Sequence, residues 1–204
     1  MSPYDKTIVV NSPRGSGGVF CRELMRNNFE AEIVWPRHHL EKFQKDDINI
    51  CVVRNPYDVL ASGFEADYYF MPEQYKDFYM NDFDFIINCH MPILLSEYYR
   101  FMVACKKLDY VTPISFEFLT EQSDKFLNHM SKKFDIIFKP NYKTAETIKD
   151  QIANQSEIST RVPREKTELR KKVDEYVNNY EPLNHAYKEY LIYRDAIQST
   201  ENML

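Results

Sequence analysis

Glycine is almost missing from this chain. There are four in 204 residues, and three of them, Gly15, Gly17 and Gly18, fall within four positions. A protein that spares glycine elsewhere has a local backbone reason to gather it there. Cysteine is also sparse. Cys21, Cys51, Cys89 and Cys105 stand singly among apolar residues, without the CxxC or Cys/His spacing of a metal site. Reduced, buried thiols of a cytosolic protein are the expectation. No apolar run approaches the ~20 residues of a membrane span. The opening MSPYDKTIVV lacks the basic start and long apolar stretch of a signal peptide. Basic charge is in deficit, with 26 Lys and Arg against 31 Asp and Glu for a net charge of −5, so no global positive field draws nucleic acid. The chain is expected to be soluble and cytoplasmic, with neither nucleic acid nor membrane as partner. Any anion it binds must be held by local donors.

What is present reads as a globular α/β protein. Hydrophobic residues make up 44% and charged residues 28%, well away from a disordered composition, and the length suits a single domain over residues 1–204. Thr7 to Val10, Ala31 to Trp35, Ile48 to Val53 and Tyr110 to Phe116 have the short β-branched or apolar character of buried strands. Helical spacing follows Gly18, follows Pro56, and recurs over 84–107 with a bend expected at Pro92, and over 123–134, 142–153, 165–178 and 183–197. Residues 67–82, rich in Tyr, Phe and Asp, lack a clean period and are expected to form an irregular loop or lid. Strands alternating with helices predict a three-layer fold: a mostly parallel central sheet covered by helices on both faces. Ligands of such sheets bind at the carboxyl ends of the strands. The glycine cluster, the paired histidines His38 and His39, and Arg54-Asn55-Pro56 all fall at or just beyond expected strand ends.

Ser12-Pro13-Arg14-Gly15-Ser16-Gly17-Gly18 joins a strand to a helix. Glycines there let backbone N–H groups turn around an anion, and the helix N-terminus adds favourable partial charge. Arg14 offers a fork for phosphate or sulfate oxygens and Ser16 a hydroxyl donor. A tight turn without ligand fits the same residues equally well. It is not a Walker A loop, because no Lys-Ser or Lys-Thr follows the glycines.

The segment Val52-Val53-Arg54-Asn55-Pro56-Tyr57-Asp58-Val59-Leu60-Ala61-Ser62 resembles the 3'-phosphate-binding segment of sulfotransferases that use 3'-phosphoadenosine 5'-phosphosulfate (PAPS). There a strand runs into Arg-Asn/Asp-Pro-x-Asp and then Ser. The glycine loop resembles the same family's 5'-phosphosulfate loop, and Pro113-Ile114-Ser115-Phe116-Glu117-Phe118-Leu119 is similar to its strand ending in Tyr-Glu-Asp-Leu. The resemblance spans about residues 7–135 and implies the fold related to P-loop nucleoside triphosphate hydrolases. It implies PAPS as co-substrate, bound through Arg14, Gly15, Ser16, Gly17 and Gly18 at the phosphosulfate and through Arg54 and Ser62 at the 3'-phosphate. The family's late Arg-Lys-Gly motif is absent, and Arg161 or Arg164 are the expected substitutes. Trp35-Pro36-Arg37-His38-His39-Leu40 lies where cytosolic members carry Lys-Thr-His-Leu-Pro. By that likeness His39 is the base, His38 its rival, and Arg37, with Arg14, an aid to the leaving group. Two exposed loop histidines are the bland alternative. His90 reads as a core or capping histidine, and His129 and His185 as solvated. The acidic, aromatic 64–85 stretch disfavours an acidic polysaccharide, leaving a small-molecule or neutral glycan acceptor. A P-loop kinase and a non-catalytic protein that binds PAPS or its product, 3',5'-ADP, are the rival readings.

Overall fold

The computed structural model describes residues 6–35, 43–154 and 167–202, with side chains described to Ser199 wherever the backbone is. Among the described residues four strands, β1 (Thr7–Val10), β2 (Glu32–Val34), β3 (Ile48–Val53) and β4 (Val111–Ser115), form one sheet in the order β2-β1-β3-β4. Every pairing is parallel: Ile8 lies against Ile33 and Ile48, and Val52 against Ile114. Nearly all of β1 and β3 is buried, as two covered faces require.

Alternation along the strands divides the core in two. Ile8, Val10, Ile50, Val52 and Ile114 point to a face closed by α1 (Gly18–Asn28), α6 (Ser123–Phe134) and α7 (Ala145–Asn154), through Leu24, Met25, Phe126, Met130 and Ile148. Val9, Cys51, Val53 and Val111 point to the opposite face. There α2 (Pro56–Tyr69), α4 (Phe83–Lys107), α8 (Glu168–Asn179) and α9 (Pro182–Asn202) contribute Leu60, Phe64, Tyr98, Phe101, Val173 and Tyr190. Among the described residues no helix is long and apolar enough to cross a membrane.

Two expectations shift. The 67–82 stretch is helical for most of its length: α2 runs on to Tyr69, and α3 spans Glu73–Asn81 with Pro72 at its N-cap. Its period was illegible because α3 buries only Tyr79. A short helix, α5 (Phe116–Glu121), follows β4 without a break; the Ser115 hydroxyl accepts the Phe118 N–H at 3.2 Å. Pro92 lies inside α4, which stays helical through it.

The strand order reverses beside β1. The chain passes from β1 to β2 on one side, then returns to β3 on the other. Open parallel sheets bind ligands beyond the strand ends at such a crossing. The segments leaving β1 and β3 there are the glycine loop and Arg54-Asn55.

Candidate functional site

The glycine loop owes its shape to two backbone positions. Gly15 and Gly17 have φ of 76° and 90°, the left-handed region that side chains rarely tolerate. Both are also sterically closed. A Cβ on Gly15 would lie 2.7 Å from Ser62 Cβ and from the Val59 carbonyl, and one on Gly17 would lie 2.6 Å from the Phe116 ring. The loop therefore rests on α2 on one side and on the residue after β4 on the other. Gly17 is the N-cap of α1 and offers no capping side chain, so the first N–H groups of that helix are left to other acceptors.

Arg54 follows β3 and reaches back into the loop, where Nη1 donates to the Gly15 carbonyl at 2.8 Å. Its guanidinium lies 4.2 Å from the centroid of the Phe116 ring, and the Tyr98 hydroxyl donates to its carbonyl at 3.3 Å. Burial lowers the Arg54 pKa below the ordinary arginine value; Asp58 opposes this and the Arg170 charge adds to it. Asn55 starts α2 by accepting the Tyr57 N–H on Oδ1 at 3.0 Å, with Pro56 in the first turn.

Ser62, two turns into α2, meets a second cation. Arg170 Nη1, from α8, donates to Ser62 Oγ at 3.1 Å. Arg170 is also held by Glu65 at 3.4 Å and Asp174 at 2.7 Å. Asp58 lies between the two arginines, 3.8 Å from Arg54 and 4.0 Å from Arg170. Arg54, Ser62 and Arg170 thus come together beside the glycine loop, with Asp58, Glu65 and Asp174 balancing the charge of the two arginines. Arg161 and Arg164, expected in this role, lie outside the described residues. The sequence did carry a signal for Arg170: Arg170-Lys171 keeps an Arg-Lys pair in the last third of the chain.

Buried polar atoms without partners mark where a ligand could be satisfied. Ser16 is 1% exposed, and its Oγ, Arg54 Nε and Glu117 Oε2 find no hydrogen-bond partner among the described residues. The first two flank the cradle and can donate to an anion. Glu117 Oε1 accepts from the Tyr190 hydroxyl at 3.3 Å.

Arg14 is placed otherwise than its loop position suggests. Nη1 donates to both oxygens of Asp67, at 2.7 and 2.5 Å. Nε lies 3.3 Å from Glu97 Oε2, and the Arg14 backbone N–H donates to Glu97 Oε1 at 3.1 Å. Asp67 Oδ2 is shared with His90 Nε2 at 3.0 Å, and His90 Nδ1 lies 2.9 Å from the Tyr79 hydroxyl. Burial works to raise the Asp67 pKa, but the His90 hydrogen bond and the Arg14 charge outweigh it and hold the carboxyl below its ordinary value. Burial, helped by Asp67, pushes Tyr79 up to about 12. No periodic signal announced this network, because its members come from four separate elements. His129, read as solvated, is partly covered; burial and then Lys133 lower its pKa. Arg37, His38 and His39 lie outside the described residues.

The site therefore joins Gly15, Ser16, Gly17, Gly18, Arg54, Ser62 and Arg170 at one end of the sheet, with Arg14 drawn off to two carboxylates. No protein-family model, curated protein or solved structure matches the chain.

Proposed function

We propose that the protein transfers the sulfuryl group of PAPS to a hydroxyl or amine of an acceptor, releasing 3',5'-ADP. The observation that carries this reading is the bond from Arg54 to the Gly15 carbonyl. It ties the segment resembling a 3'-phosphate site to the loop resembling a phosphosulfate site. Ligands with two separated anionic groups suit that pairing. One group faces the glycine loop and the N-terminus of α1, and the other faces Arg54, Ser62 and Arg170.

The residues present fit such a molecule. Ser16 Oγ and Arg54 Nε are buried donors in need of acceptors, and the space that a Cβ on Gly15 or Gly17 would fill is needed for the loop's close approach to its neighbours. Arg54, Ser62 and Arg170 would hold the 3'-phosphate. Ser16 with the backbone of Gly17 and Gly18 would hold the phosphosulfate. PAPS, when bound, supplies a sulfuryl group whose bond to the bridging phosphate oxygen breaks as the acceptor atom bonds to sulfur. The chain's part is to position the anions, neutralise charge on the bridging oxygen, and take the acceptor's proton. On this reading the proton goes to His39, or to its neighbour His38, with Arg37 aiding the leaving group. The acceptor is a small molecule or a neutral glycan. A P-loop kinase reading has less support, since no lysine follows the glycines.

Titration with 3',5'-ADP and with ATP–Mg²⁺ tests the reading. Preferential binding of 3',5'-ADP, weakened by Arg54→Ala and by Arg170→Ala, is expected; preferential binding of ATP–Mg²⁺ would move the protein to the kinases.

A further inference from the structure

We propose that Asp67 and Glu97 form a latch that withholds Arg14, the glycine loop's own cation, from the anion cradle, and that His90 sets the strength of this latch from the far side of Asp67. The inference rests on the cradle proposed above and assigns its regulation.

The two arginines nearest the glycine loop in sequence and space, Arg54 and Arg14, are turned apart. Arg54 is turned into the loop, onto the Gly15 carbonyl. Arg14 runs along α2, its Cβ 3.5 Å from where a side chain on Gly63 would begin, to reach Asp67 one helical turn further on. Glu97 then takes both the Nε and the backbone N–H of Arg14, so one carboxylate holds the side chain and the loop's backbone together. The cluster is paired throughout, and its Asp67, Glu97 and His90 side chains are only 24%, 16% and 20% exposed. An anion entering the cradle competes with Asp67 for the same guanidinium fork.

His90 acts through the second lone pair of Asp67. With the imidazole neutral, Nε2–H donates to Asp67 and Nδ1 accepts the Tyr79 O–H. Asp67 Oδ2 is thereby shared between the His90 N–H and the Arg14 guanidinium, so loss of the His90 donor leaves the carboxylate to hold Arg14 more firmly. The charged and titratable groups facing His90 are Asp67 from α2 and Tyr79 from α3, with Arg14 of the loop and Glu97 of α4 beyond Asp67. Phe64 packs on the ring with centroids 5.5 Å apart, and Tyr68 packs on Tyr79 at 5.9 Å.

The test is calorimetric titration of inorganic pyrophosphate into the wild type, Asp67→Asn, Arg14→Ala, the double variant and His90→Phe, which keeps a ring beside Phe64 but has no donor for Asp67. Asp67→Asn is expected to bind about tenfold tighter, the scale of one charge-assisted contact. The gain should vanish in the Arg14→Ala background. His90→Phe should bind several-fold more weakly than the wild type, and a His90→Phe affinity equal to or above that of the wild type would overturn the role of His90. An equal gain without Arg14 would reduce Asp67 to a nearby negative charge and overturn the latch, as would no gain at all. The wild type offers a check that needs no variant to fold: pyrophosphate should shift the Arg14 Nε–H resonance, and an unmoved resonance overturns the latch. If pyrophosphate binds as expected but 3',5'-ADP binds no better, the sulfotransferase reading falls and the latch stands; if no variant binds pyrophosphate, both fall.

Discussion

Gly15 and Gly63 face the same junction from opposite sides, and replacing each with alanine should move stability in opposite directions. In the Gly15→Ala variant the backbone must keep φ near 76°, which costs an L-residue about 1–2 kcal/mol. The new Cβ would stand 2.7 Å from the Val59 carbonyl and 3.0 Å from the Gly63 nitrogen, both main-chain atoms of a packed helix that cannot swing aside. Overpacking of this kind adds about 1–3 kcal/mol. Stiffening the unfolded chain returns about 0.4–1 kcal/mol, leaving a net loss of roughly 2–4 kcal/mol. At Gly63, inside α2, a Cβ meets Leu94 Cδ2 at 3.4 Å and Arg14 Cβ at 3.5 Å, ordinary contact distances, and helix propensity gains about 1 kcal/mol. Urea unfolding followed by circular dichroism should show the midpoint of Gly15→Ala falling by about 1–2 M and that of Gly63→Ala rising by about half that or less, for a slope near 2 kcal/mol/M. A Gly15→Ala midpoint within about 0.2 M of wild type would refute the loop conformation and its contact with α2; a common direction for both variants would refute the junction.

Three further outcomes follow from single contacts. Asn55→Ala removes the side-chain acceptor at the start of α2 and should cost about 1 kcal/mol in the same unfolding assay. Cys21, Cys51 and Cys105 are buried and Cys89 is exposed, so one thiol should react rapidly with a water-soluble disulfide reagent and Cys89→Ser should abolish that phase. Asp67 is held below the pKa it has when unfolded, since the His90 bond and Arg14 charge overcome the effect of burial. Its stabilisation is present above about pH 4, the unfolded carboxylate value, and is lost as pH falls through the lower folded value. The stability gap between wild type and Asp67→Asn should therefore narrow on acidification below about pH 4, and a gap independent of pH would contradict that shift.

Much of the sheet was legible because buried parallel strands leave dense apolar runs: Ile48–Val53 is a strand over the expected residues, and α6 occupies Ser123–Phe134 as its spacing predicts. Elements with little buried surface were not legible. α3 commits one residue to the core, so its sequence shows no stripe, and α5 begins where β4 ends, so one apolar run covers two elements. In the site, local chemistry could be read and long-range partners could not. The glycines announced a special backbone, and Arg54 and Ser62 announced a spacing. Arg170 left a trace in its Arg-Lys pair, but its contact with Ser62, 108 residues away along the chain, and those of Asp67 and Glu97 with Arg14, become visible only once the helices are packed.

The most direct test of the proposed function is a titration cycle comparing 3',5'-ADP with 5'-AMP, in the wild type and in Arg54→Ala. The wild type should prefer 3',5'-ADP by tenfold or more, the scale of one charge-assisted phosphate contact, and Arg54→Ala should erase most of that preference while leaving 5'-AMP binding nearly unchanged. No binding of 3',5'-ADP, or a preference that survives the loss of Arg54, would contradict a 3'-phosphate site at the end of β3 and with it the sulfotransferase reading.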